Sequence, residues 1–175
     1  MGLAGYSGIK SYVDHMKNSG PRRTFYRFRA DMLELAVRLE IATDAVIAAS
    51  FARSANAAEL LSIEVLSGVP VQKRISTLEG VLERHELVET YPFVVPILRK
   101  LFGLRNALAH SIDDTTVDPG DGAVQLLGIR KGLLQAVAFE HAYLDWLHSQ
   151  AWQVLSELDD LYWKIAPVDP QWHEN

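Results

Sequence analysis

The chain has 175 residues, 49% hydrophobic and 22% charged, and carries a formal net charge of -5. Such a chain is expected to fold as one globular domain (1–175) with an ordinary core, and its composition excludes a disordered or fibrous protein. It contains no cysteine, which excludes a disulfide scaffold, a thiol nucleophile and cysteine-ligated metal, and the acidic balance excludes a protein that coats nucleic acid by bulk charge.

Residues 1–21 contain Gly2, Gly5, Gly8, Gly20 and Pro21 and read as a loosely held arm. Met1–Gly8 lacks the apolar core of a signal peptide, and no apolar run in the chain approaches the roughly 20 residues that span a bilayer. The expectation is a soluble, cytoplasmic protein with no membrane partner. From Phe28 to Arg53 there is no Gly or Pro, and good helix formers predominate. Leu35, Leu39, Ala42, Val46 and Ala49 form one stripe at helical spacing, while Leu33, Val37, Ile41, Ile47 and Phe51 cover much of the other side. A helix that is apolar on two sides is expected to be sandwiched between others.

Asn56 is placed to cap a second helix running to Ser67, ended by Gly68 and Pro70. A third is predicted from Val71 to His85 on the apolar face of Ile75, Leu78 and Leu82. Pro92 and Pro96 mark the opening of a fourth that continues to His110. Asp113–Gly122 is a loop by composition. Val124–Phe139 leaves two readings open: a small hairpin turning at Lys131-Gly132, or a last helix starting at Leu133. The helical signal then holds through Leu144, Leu147, Ala151, Val154, Leu158, Leu161 and Ile165, until Pro167, with a loose tail at 166–175. The sum is an all-α, up-and-down bundle of four to five helices, with at most one hairpin.

The segment from Leu101 to Ser111 reads LFGLRNALAHS. On an ideal helix Arg105 falls about 20° from Val94, inside the arc made by Val94, Leu98, Leu101 and Leu108. A guanidinium in an apolar stripe is costly unless paired or bound to an anion. Asn106 and His110 are four apart and share a neighbouring face. In the plainest reading, Arg105 is a structural ion-pair residue and His110 closes a helix C-terminus, where cations are favoured. Glu40 and Asp44, four apart on the second side of the first helix, are candidates to hold Arg105 by a buried salt bridge; otherwise they form a solvated acidic strip.

Arg105, Asn106 and His110 resemble the Arg-x4-6-His motif of the HEPN superfamily, all-helical proteins found in toxin–antitoxin, abortive-infection and CRISPR-associated nucleases. In that family a polar residue, often Asn, follows the Arg, and the motif lies toward the end of an inner helix. An Arg-x4-His match arises by chance about 0.4 times in this composition, and about 0.01 times with the adjacent Asn, so the Asn and the helical setting carry the resemblance. The rest of the chain matches no pattern of that family or another. The resemblance implies cofactor-free, metal-independent RNA cleavage, in which a ribose 2'-OH attacks the adjacent phosphorus and leaves a 2',3'-cyclic phosphate and a 5'-OH. His110 would act as general base or acid, Arg105 would stabilise the phosphorane oxygens and Asn106 would orient the His or a phosphate oxygen. It also implies a homodimer with two facing motifs, and an antitoxin protein as a further partner. The alternative is a non-catalytic HEPN-like module that binds a nucleotide or a partner such as a nucleotidyltransferase antitoxin.

Arg22, Arg23, Arg27 and Arg29 interleave with Phe25, Tyr26 and Phe28, a mixture suited to single-stranded RNA; solvated arginines beside buried aromatics are the plainer alternative. Asp145 and His148 have the spacing of a carboxylate-bundle metal site, but no second acid-x-x-His pair exists, so no metal is expected. Trp146, Trp152 and Trp163 are expected in the core or in dimer contacts.

Overall fold

Pro21 occupies the first turn of a 32-residue helix, α1 (Gly20–Phe51), where its missing N–H interrupts no intrahelical bond. The helix therefore begins before Phe28, and the run from Arg22 to Arg29 lies within it. The computed structural model describes residues 20–113, 123–130 and 133–166, with backbone alone at 20–26, 111–113, 123–124, 129–130 and 133–135. The predicted arm before Gly20, the loop at 114–122, the Lys131-Gly132 turn and the tail after Ala166 lie outside the described residues.

Ser54, not Asn56, caps α2 (Ala55–Leu60), its hydroxyl accepting from the Ala57 N–H at 3.3 Å. The chain continues through a π turn, Leu61–Val65, and a 3-10 turn, Leu66–Gly68. Helix α3 (Val71–Arg84) follows Pro70, and α4 (Val94–His110) carries Pro96 in its first turn. Strands β1 (Ser111–Asp113), β2 (Ala123–Arg130) and β3 (Leu133–Glu140) lead directly into α5 (His141–Ile165). Glu40 and Asp44 meet Arg74, and Ser50 meets His85, so α1 and α3 run the same way and the α2 segment carries the chain back between them. Tyr91 meets Asp160 while Lys100 lies over Trp146, so α4 and α5 run oppositely.

Of the two readings of residues 124–139, the hairpin is the one adopted. The strands form an antiparallel sheet in the order β1-β2-β3, with Leu126 opposite Val137 and Val124 opposite Phe139. That register puts Leu126, buried to 1%, and Phe139, packed on the core, on one face, while Ala136 and Ala138 are exposed on the other. The Leu, Gln, Ala and Glu of β3 favour a helix locally, but pairing with β2 overrides that preference.

The buried side chains form one cluster drawn chiefly from α1, α3, α4 and α5, joined by Leu66, Tyr91 and Leu126. Leu39, Leu78, Leu98, Leu147 and Leu158 are 0% exposed, each contributing roughly 1.5–3 kcal/mol by leaving water. The predicted covering of the second side of α1 is only partial. Ile47 is buried, but Val37, Ile41 and Phe51 are 49%, 63% and 55% exposed among the described residues. Trp146, Trp152 and Trp163 also lie at the surface rather than in the core.

Tyr91 pins the start of α4 to the end of α5. Its hydroxyl donates to Asp160 Oδ2 at 2.5 Å, and Lys164 Nζ donates to both Tyr91 Oη (2.6 Å) and Asp160 Oδ2 (2.9 Å). Burial, then the bond to Asp160, pushes the Tyr91 phenol above its usual 10.0; the Tyr91 bond, then Asp160, raises Lys164 above 10.5. Both groups lose their proton more readily unfolded than folded, so their contribution is complete below about pH 10 and is lost as pH rises through the folded values. The melting temperature is therefore expected to fall as pH rises above about 10, and less steeply in Tyr91→Phe; equal slopes in the two proteins would refute the linkage.

Candidate functional site

Helix α4 brings its stripe of Val94, Leu98, Leu101 and Leu108 into the core at 0–1% exposure. Arg105 continues the same stripe but is only half-buried. It lies in the last turns of the helix, where a long side chain can rest its methylenes on the core and reach outward with its charge. Its Nη1 donates to Asn106 Oδ1 at 3.2 Å. Asn106 and His110 are exposed on the outer side of the helix, and His110 is its last residue. Arg105 and His110 are five positions apart, roughly 7.5 Å along the axis. The three side chains thus gather at one end of α4, where the chain passes directly into β1.

Neither Glu40 nor Asp44 holds Arg105, and they are not a solvated strip. Both take Arg74 of α3: its Nη1 donates to Asp44 Oδ2 at 2.6 Å and its Nη2 donates to Glu40 Oε1. Arg74 is 6% exposed and Asp44 is also 6% exposed, so this is a buried ion network. Burial pushes the Asp44 carboxyl above its usual range, while the adjacent Arg74 charge pulls it down. Asp44 Oδ1, Arg74 Nε and Thr43 Oγ1 are buried without a hydrogen-bond partner. Sequence reasoning missed Arg74, although the signal was present: Arg74, Leu78 and Val81 recur at steps of four and three, the same intrusion into an apolar stripe that marked Arg105. With both carboxylates committed to Arg74, the Arg105 guanidinium has no carboxylate partner among the described residues.

The arginine-rich start of α1 is described only in part. Arg27 is exposed and Arg29 half-buried, while the side chains of Arg22 and Arg23 lie outside the described residues. Phe28 packs its ring 6.0 Å from the His148 imidazole, which in turn accepts from Trp152 Nε1 at 3.4 Å. His148 therefore belongs to an aromatic cluster between α1 and α5. Among the described residues, no three His, Asp or Glu side chains converge as metal ligands.

Gly103 interrupts the exposed side of α4 one turn before Asn106, and a Cβ built there meets nothing within 4 Å. Gly103→Ala is expected to raise stability by about 0.5–1 kcal/mol by restricting the unfolded chain, seen as a higher urea midpoint with an unchanged slope. Lys100, one turn earlier, sets Nζ 5.1 Å from the centre of the Trp146 ring.

Comparison with protein-family models, with curated proteins and with solved structures gives no match to this chain. Within the described residues, no helix is long and apolar enough to cross a membrane.

Proposed function

We propose that this chain is a HEPN-like helical domain that cleaves RNA without metal, acting as a homodimer, with Arg105, Asn106 and His110 as its reactive group. The observation that carries this reading is the state of Arg105. Its charge emerges half-exposed from an apolar stripe, is braced by Asn106 and is not neutralised by the two carboxylates best placed by sequence to do so. A planar donor fork in that position suits a phosphate oxygen pair.

In the proposed reaction a ribose 2'-OH gives its proton to a base and forms a bond to phosphorus. The bond from phosphorus to the 5' oxygen breaks, and that oxygen receives a proton from an acid. His110 is the residue at this end of α4 whose side chain can serve as proton donor or acceptor. One copy supplies one such imidazole, so the second proton transfer is assigned to His110 of a second copy. Arg105 meets the charge that develops on the non-bridging oxygens.

A binding-only module of the same kind, taking a nucleotide or a partner protein such as an antitoxin, is favoured by one observation. Among the described residues Arg105 bonds to Asn106 and not to His110, which stands exposed at the end of the helix. Mixed RNA incubated with the purified protein in EDTA separates the two readings. Fragments ending in 2',3'-cyclic phosphate support the nuclease. Intact RNA together with saturable nucleotide binding supports the module.

A further inference from the structure

The side of α1 left uncovered by the bundle is the floor of an open trough. Ala42 and Ala45 face Trp152 and Leu155 of α5 across a cavity of about 580 Å³. Ala45 and Ala48 face Ala58 and Ile63 across a second of about 310 Å³. Ala45 and Tyr162 line both, so the two are continuous. Ile41, Ile63 and Trp152 stand at the edges, 63%, 57% and 46% exposed. An alanine floor between bulky apolar walls is the shape that lets a helix approach to the 8–10 Å typical of packed helices.

The walls carry a sign. Glu59 lines one side and Asp159 the other, and among the described residues neither has an ion-pair partner. The nearby cation, Arg38 over the Trp152 ring at 5.9 Å, is already bonded to Glu34 at 2.6 Å. We propose that this trough binds an amphipathic helix of a partner protein, its apolar stripe on the alanines and its flanking lysines or arginines against Glu59 and Asp159.

The chain's own ends do not meet these demands. Residues 167–175 contain Asp169 and Glu174 and no Lys or Arg. The cationic stretch from Lys10 to Lys17 joins α1 at Gly20. The trough spans from Ala42 to Ala48, about 33 to 42 Å further along that helix, so the ten residues from Lys10, at most roughly 35 Å when fully extended, touch its near edge only as a stretched chain and cannot lie along it as a helix. A second copy laid face to face would set acidic walls against acidic walls, and an anionic lipid surface would be repelled by the same charges. The inference does not rest on RNA cleavage. The trough runs toward Tyr162, near the α5 end that meets Tyr91 ahead of α4, whereas Arg105 and His110 close α4 at its other end.

The test uses labelled peptides of about sixteen residues, with leucines at helical spacing and either lysines or glutamates elsewhere, plus a scrambled lysine peptide of the same composition. Fluorescence anisotropy with the full chain is expected to show the amphipathic lysine peptide binding at least about tenfold more tightly than the other two. Ala45→Arg, which fills the floor, and Ile41→Lys, at an exposed edge that should not affect folding, are each expected to weaken it by a similar factor. Glu59→Lys with Asp159→Lys is expected to transfer the preference to the glutamate peptide. Equal binding of the scrambled peptide, or indifference to both floor and edge variants, overturns the proposal. So does conversion of a dimer to a monomer by Ile41→Lys in light scattering, which would make the occupant a second copy. Binding that emerges only after residues 167–175 are removed would make it the chain's own tail, with the same consequence.

Discussion

His110→Ala is expected to lower the rate of RNA cleavage in EDTA by about 10²–10⁴-fold, the usual contribution of a positioned proton-transfer group. Arg105→Ala is expected to cost about 10²–10³-fold, comparable to losing one donor to a developing oxyanion. Arg105→Lys should recover little, because a single ammonium does not reproduce the paired donors of the guanidinium. Neither change should unfold the protein: His110 is exposed, and Arg105 is half-buried with no carboxylate partner among the described residues, so both melting temperatures should stay close to the parent's. Mixing the His110→Ala chain with parent chain gives a second readout. If each cleft needs an imidazole from both copies, excess mutant should depress parent activity, with no effect on a monomeric enzyme. Equal cutting by parent and His110→Ala would end the nuclease proposal outright.

Arg74→Met is expected to destabilise the fold by about 3–5 kcal/mol, since it leaves Glu40 and the buried Asp44 facing each other without their cation. For a chain of this size that corresponds to a fall of roughly 6–20 °C in melting temperature. The loss should be smaller at low pH. Burial already raises the Asp44 carboxyl, and the Arg74 charge is what opposes that rise. Without Arg74 the folded value climbs further, so the ionised carboxylate costs stability at neutral pH and the cost disappears as acid protonates it. The variant should therefore be more stable at pH 5 than at pH 8. Replacing all three members together, with Glu40→Leu and Asp44→Leu beside Arg74→Met, should recover most of the loss, because an apolar cluster avoids the desolvation of three charges. Failure of the triple variant to exceed Arg74→Met would show that the network's value lies in its hydrogen bonds.

One kind of sequence signal led to two structural outcomes. Arg74 and Arg105 both interrupt apolar stripes at helical spacing. One is buried and doubly paired, the other half-exposed and braced by its neighbour Asn106. Periodicity places a residue on a face of its helix but says nothing of which helix lies opposite, or where along the bundle that helix ends. The Glu40–Asp44 pair shows the same limit. Its i, i+4 spacing and its apolar surroundings identified a partner-seeking pair, yet the partner came from α3 rather than α4. Helix ends were misread where local cues competed: Gly20-Pro21 resembles a breaker but opens α1, and Ser54 takes the capping role from Asn56.

What the amino-acid order determined by itself was the set of helices, the apolar stripes that form the core, and the grouping of Arg105, Asn106 and His110 at the close of α4. Each depends on interactions within a few turns, which spacing encodes directly. Only the tertiary structure decided that residues 133–140 pair as a strand, that Arg74 claims Glu40 and Asp44, and that one side of α1 stays open as an alanine-floored trough. Those outcomes turn on contacts between segments tens of residues apart, where the free energy of burial and pairing overrides local preference and the linear pattern carries no address.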